Sequence, residues 1–184
     1  MKHQYHLIYF AFILCLLSNS CQTTGNLVYG TNKSKIYSSK KEYISQNFSD
    51  RKINTNNVYI LNEELFEQLS KEIINTKLSM YYGVADKYFV SGNQMTVKSC
   101  SGQFQTLYKK VGKDDSDLQK KSLDQNPILS SLNIDSNKKT AIFIYSYKMG
   151  TFANSKIFDI IDQLKNEEDF EYRVISIDNS DIKS

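Results

Sequence analysis

The stretch Ala141–Asp178 limits the fold more than any other part of the chain. It opens with AIFIYSY (Ala141–Tyr147), an apolar run with the length and the β-branched and aromatic content of a buried strand. Ile157, Phe158, Ile160, Ile161 and Leu164 then recur at the spacing of one helical face, and Asn154 or Ser155 is placed to cap that helix. FEYRVISID (Phe170–Asp178) is a second strand. A strand, a helix and a strand with no room for a hairpin make a βαβ unit, with parallel strands and a right-handed crossover.

The upstream segments extend the same pattern. Asn57–Leu61 (NVYIL) suits a buried strand; Asn62 follows as an N-cap, and Glu63 and Glu64 put negative charge where the helix dipole favours it. Leu65, Phe66, Leu69 and Ile73 continue at helical spacing. Lys87–Val90 and Gln94–Ser99 are β-rich runs around Ser91-Gly92-Asn93, which predicts a hairpin. Ser101 opens a helix carrying Phe104, Leu107, Tyr108 and Val111, with Gly112 placed to end it. A short helix is expected from Ser39 through Phe48, and a polar connector over 113–139, with the sole proline, Pro127, and a short ordered piece at Ile128–Leu132. With 184 residues the chain has room for one domain. Residues 39–184 are therefore expected to form a single α/β domain, a small mixed sheet with helices packed on it.

The N-terminus carries a processing signal. Lys2 supplies positive charge, Leu7–Leu17 form an 11-residue apolar run, and Ser18, Asn19 and Ser20 precede Cys21. The run is too short to span a bilayer. A cysteine directly after small residues resembles the lipobox of bacterial lipoproteins, although Ser18 stands where leucine is usual. The resemblance implies a signal peptide over 1–20, acylation of Cys21, a flexible tether over 21–38, and a protein anchored in the bacterial cell envelope by its lipid. Both histidines, His3 and His6, leave with residues 1–20, and the chain has no tryptophan. The mature protein then lacks any Ser/His/Asp triad, any Cys/His pair and any histidine-bearing zinc site. Its charge becomes 22 basic against 20 acidic residues, too even to indicate nucleic acid as a partner.

The segment AIFIYSY-KMGTFA-NSKIFDIIDQL with FEYRVISID is similar to the first βαβ of thioredoxin-like proteins, in which a C-x-x-C lies at the helix start and an Asp ends the second strand. Laid over this chain, the C-x-x-C falls on Gly150-Thr151-Phe152-Ala153 and the acid on Asp178. Leu65–Val111, with Tyr82-Gly83-Val84, resembles the other half of that fold, but precedes the βαβ instead of following it. The cis-proline implied near Ala85–Lys87 is absent from the sequence. Thiol–disulfide exchange needs a low-pKa thiolate and a resolving thiol, and Gly150 and Ala153 supply neither.

Two candidate sites remain. Cys100, beside a predicted helix start, is a candidate redox thiol or a small buried hydrophobe. Lys148, Gly150, Thr151, Asn154 and Ser155 lie between a strand end and a helix start, where small ligands and anions bind in α/β sheets. Asp114, Asp115 and Asp117 lack the alternating ligand pattern of a calcium loop and read as solvated surface. The expectation is a non-catalytic, lipid-anchored binding or scaffold module, requiring no cofactor and no metal, with a protein or small-ligand partner; a single-thiol redox protein is the alternative.

Overall fold

The computed structural model describes residues 35–51, 53–76, 80–95, 101–113 and 117–183. Cys21, Cys100, Asp114 and Asp115 lie outside the described residues. Helix α1 (Lys40–Phe48) covers the expected span and starts where Ser39 Oγ accepts the Glu42 N–H at 3.2 Å. A 3-10 turn, Ser49–Arg51, follows it directly. Strand β1 (Val58–Ile60) leads to α2 (Glu63–Thr76), where Asn62 Oδ1 accepts the Leu65 N–H at 2.9 Å. Next come β2 (Tyr81–Ala85), β3 (Phe89–Ser91), α3 (Ser101–Lys110), β4 (Lys120–Lys121) and α4 (Pro127–Ser131). The chain ends with β5 (Lys139–Tyr145), α5 (Gly150–Leu164) and β6 (Phe170–Ser176).

The strands form one mixed sheet in the order β1-β6-β5-β2-β3-β4. The expected parallel pair is present: β5 and β6 run together from Lys139–Phe170 to Tyr145–Ser176. β1 adds to β6 in parallel, while β2, β3 and β4 are antiparallel to their neighbours. Because β5 has side chains buried on both faces, helices must cover it twice. Tyr43 and Phe48 of α1, Phe104 and Leu107 of α3, and Ile157, Ile160 and Leu164 of α5 cluster with Ala141, Phe143 and Tyr145. Leu69 of α2 and Ile128 and Leu129 of α4 cluster with Ile142 and Ile144. The fold is a helix–sheet–helix sandwich of the α/β class.

Four expectations need correction. The hairpin is formed by β2 and β3, turning at Asp86–Tyr88, where Asp86 Oδ1 accepts the Tyr88 N–H at 2.9 Å. Local composition pointed to Ser91-Gly92-Asn93, but β2 and β4 already occupy both edges of β3, and Gly92–Gln94 form a 3-10 turn after it. A register shift between Tyr81 and Gly83 reverses the alternation of β2, so that Tyr81 and Val84 share one core face and Tyr82 and Ala85 the other. Residues 35–38 belong to the domain and not to the tether. Tyr37 is buried, and its backbone bonds Asp181 and Lys183 at 2.7 and 3.0 Å.

The connector is also more structured than its polarity suggested. Lys120–Lys121 pair with β3, and Ile128, Leu129 and Leu132 are core residues. Buried Arg173 of β6 holds this segment, donating from Nε to the Leu132 carbonyl and from Nη2 to the Asn133 carbonyl, each at 2.9 Å. Finally, α5 starts at Gly150, not at Asn154 or Ser155.

Gly92 sits where a side chain has no room: a Cβ there would lie 2.0 Å from the Tyr81 carbonyl oxygen. Gly92→Ala must push β2 and the segment after β3 apart and is expected to cost about 2–4 kcal/mol. Gly102, with nothing within 4 Å of its added Cβ, is the control. Gly102→Ala is expected to stabilise by up to about 1 kcal/mol. Urea unfolding of both variants checks the contrast.

Candidate functional site

The carboxyl ends of β5 and β6 lie side by side, and polar chemistry gathers beyond them. Asp178, immediately past β6, is buried and takes three donors: Tyr43 Oη at 2.6 Å, Ser146 Oγ at 2.5 Å and the Tyr147 N–H at 2.9 Å. Tyr43 comes from α1 and Ser146 and Tyr147 from the end of β5, so one carboxylate joins three parts of the fold. Burial, and next the Asp178 charge, push the Tyr43 hydroxyl far above the ordinary tyrosine range. Burial and Asp178 do the same to Tyr145. Both phenols therefore stay protonated at neutral pH, available as hydrogen-bond donors and unsuited to act as bases.

A second carboxylate, Asp181, closes the other side. Lys148 Nζ stands 2.5 Å from its Oδ2, and Tyr147 Oη donates to the same oxygen at 2.7 Å. The Tyr147 hydroxyl is pushed up to about 12, chiefly by burial and also by the Asp181 carboxylate. Tyr37 meets Tyr43 and Tyr147 edge-on at centroid distances of 5.0 and 5.5 Å. These contacts explain why residues 35–38 fold onto the domain.

Beside this knot lies a cleft of about 400 Å³. Its walls are Gln46 and Asn47 from α1, Asp50 and Arg51 from the 3-10 turn, Tyr145 from β5, and Thr151, Asn154 and Phe158 from α5. Several of these groups are already committed. Asn47 Nδ2 donates to the Tyr43 carbonyl at 2.8 Å, and Gln46 Nε2 donates to Glu42 at 2.9 Å. Asn154 is buried within α5, where Nδ2 donates to the Ser146 carbonyl at 2.8 Å while Oδ1 has no partner. Arg51 lies over the Phe158 ring, 5.3 Å from its centroid, and pairs with no carboxylate among the described residues.

The five residues expected to share a ligand loop are divided by the structure. Thr151 and Asn154 line the cleft. Lys148 is spent on Asp181, and Ser155 Oγ turns back to the Phe152 carbonyl at 2.9 Å. Gly150 is buried, with φ 82° and ψ 170°, a conformation open essentially to glycine alone. Instead of an open loop, a 3-10 turn (Tyr147–Met149) runs straight into α5. Sequence reasoning missed Asp50 and Arg51, which follow a short helix and resemble ordinary surface charge. Among the described residues, no cluster of three His, Cys, Asp or Glu side chains could hold a metal, and no helix is long and apolar enough to cross a membrane.

Burial raises the Asp181 carboxyl, but the hydrogen bonds from Lys148 and Tyr147 and the Lys148 charge outweigh it, holding the group below the ordinary value of 3.8. A folded-state value lowered in this way contributes stability that is complete above the unfolded value and is lost as pH falls through the folded one. Asp181→Asn is expected to lose about 1–3 kcal/mol at neutral pH. Unfolding titrations should show this difference from the parent chain shrinking as the pH drops below about 4.

No family model, no curated protein and no solved structure matches the chain. Its function must be argued from the residues and their geometry alone.

Proposed function

We propose that the chain is a lipid-anchored protein of the bacterial cell envelope whose α/β domain is a non-catalytic, thioredoxin-like binding or scaffold module. The carrying observation is the position of β5: it lies between β6, parallel to it, and β2, antiparallel to it, with β3 beyond. A thioredoxin-like sheet whose two halves appear in exchanged order along the chain implies this arrangement. Helix α5 leaves β5 at Gly150-Thr151-Phe152-Ala153, the four positions that correspond to the C-x-x-C. Asp178 lies two residues past the second strand of the unit and is buried.

The non-catalytic character has backbone support as well as chemical support. Gly150 corresponds to the first cysteine, and its φ of 82° would strain any side chain by about 1–3 kcal/mol. The site beside α5 is therefore shaped by a glycine and not merely stripped of a thiol. Its open cleft, with both charged and amide side chains, suits binding. The anchor is supported by the sequence that ends in Cys21, fourteen positions before the first described residue, Lys35. Several acyl chains, each methylene contributing about 0.8 kcal/mol, would hold such a protein stably on a membrane.

Two measurements test the proposal. Mass spectrometry of the full chain expressed in a bacterial host is expected to show loss of residues 1–20 and acylation of Cys21, both abolished in Cys21→Ala. An unmodified, membrane-free product from the parent chain would overturn the anchor. In a turbidity assay, the protein is expected not to accelerate reduction of insulin by dithiothreitol; acceleration would overturn the non-catalytic assignment.

A further inference from the structure

We infer that the cleft between α1 and α5 is a binding site for a small zwitterion, a molecule carrying a carboxylate and an ammonium group a few ångströms apart, such as a free α-amino acid. This deepens the proposed binding role of the domain and rests on it.

The inference follows from which groups in the cleft are already satisfied. Asn47, Gln46 and the Asn154 amide nitrogen are occupied by Tyr43, Glu42 and Ser146. The remaining polar equipment is the Arg51 guanidinium, the Asp50 carboxylate and the Thr151 hydroxyl. Neither Arg51 nor Asp50 makes an ion pair with a described residue, although the two are adjacent in the 3-10 turn and line the same wall. A guanidinium with no carboxylate partner among the described residues is a ready partner for one from a ligand, and its position over the Phe158 ring seats it at the cleft wall. The first turn of α5, which has no side-chain cap, presents Thr151 to the same cleft and favours negative charge there.

A purely anionic ligand, however, would meet Asp50, and a purely cationic one would meet Arg51. Both charges are matched only by a ligand that brings both signs. The cleft volume of about 400 Å³ accommodates a molecule of amino-acid size.

The test is nitrogen–proton correlation spectroscopy on the purified full chain, titrated with the twenty proteinogenic L-amino acids and, as single-charge controls, with acetate and ethylamine. At least one amino acid is expected to shift the Thr151, Asn154 and Arg51 resonances saturably, while neither control does so at the same concentration. Arg51→Gln and Asp50→Asn replace exposed side chains and are expected to keep the spectrum of the folded domain. Each is expected to weaken binding at least about tenfold, the scale of one charge-assisted hydrogen bond. Saturable binding of acetate alone would make the cleft a simple anion site and overturn the inference, as would binding unaffected by either variant or no shift with any probe. A failure here, with insulin reduction still absent, would leave the non-catalytic module standing. Insulin reduction would instead remove that module whatever the amino acids do.

Discussion

Both edges and both faces of β5 are occupied, and the layering of the domain follows from that fact. Its alternate side chains, Phe143 and Tyr145 against Ile142 and Ile144, enter two separate hydrophobic clusters. A strand buried on both faces must be covered by helices on both sides, which places α1, α3 and α5 on one side and α2 and α4 on the other. Parallel pairing with β6 sends the chain back through α5, and antiparallel pairing with β2 brings in the hairpin. A polar residue on β5 would therefore damage two cores at once.

The same pairing puts the carboxyl ends of β5 and β6 together, and this is where the domain concentrates its polar groups. Asp178 enters a buried setting and makes no ion pair with a cation among the described residues. It is satisfied instead by two hydroxyls and one backbone N–H. Tyr43 is thus tied to the sheet end, so α1 lies across the crevice and forms one wall of the cleft whose other wall is α5. Open α/β sheets offer ligand sites outside the carboxyl ends of their strands because neighbouring connections diverge there. Here α1 and the turn behind it narrow that space and add charge to it.

Much of the architecture was legible locally. The βαβ unit, the short helix ending at Phe48, the cap at Asn62 and the helix starting at Ser101 each depend on a few neighbouring residues, and they appear as their patterns predict. The hairpin was misplaced because Gly-Asn chemistry marks a turn without saying which strands the turn serves. The true turn relies on Asp86, and strand pairing, a non-local property, decided between them. At the candidate site, Thr151 and Asn154 were found from strand-to-helix position alone. The ion pair that occupies Lys148 was not legible, because its partner, Asp181, lies 33 residues away in sequence. Arg51 and Asp50 carried no local signal, since exposed charges after a helix are commonplace.

By itself, then, the sequence determined the parallel βαβ unit and the cap at Asn62, because each is a matter of residue identity and short-range spacing. The tertiary structure alone decided which charges are paired and which are free. Ion pairing depends on distances between elements far apart in the chain, and the packing of α1 across the ends of β5 and β6 sets those distances. That packing turns Lys148 into a structural cation and leaves Arg51 facing an open cleft.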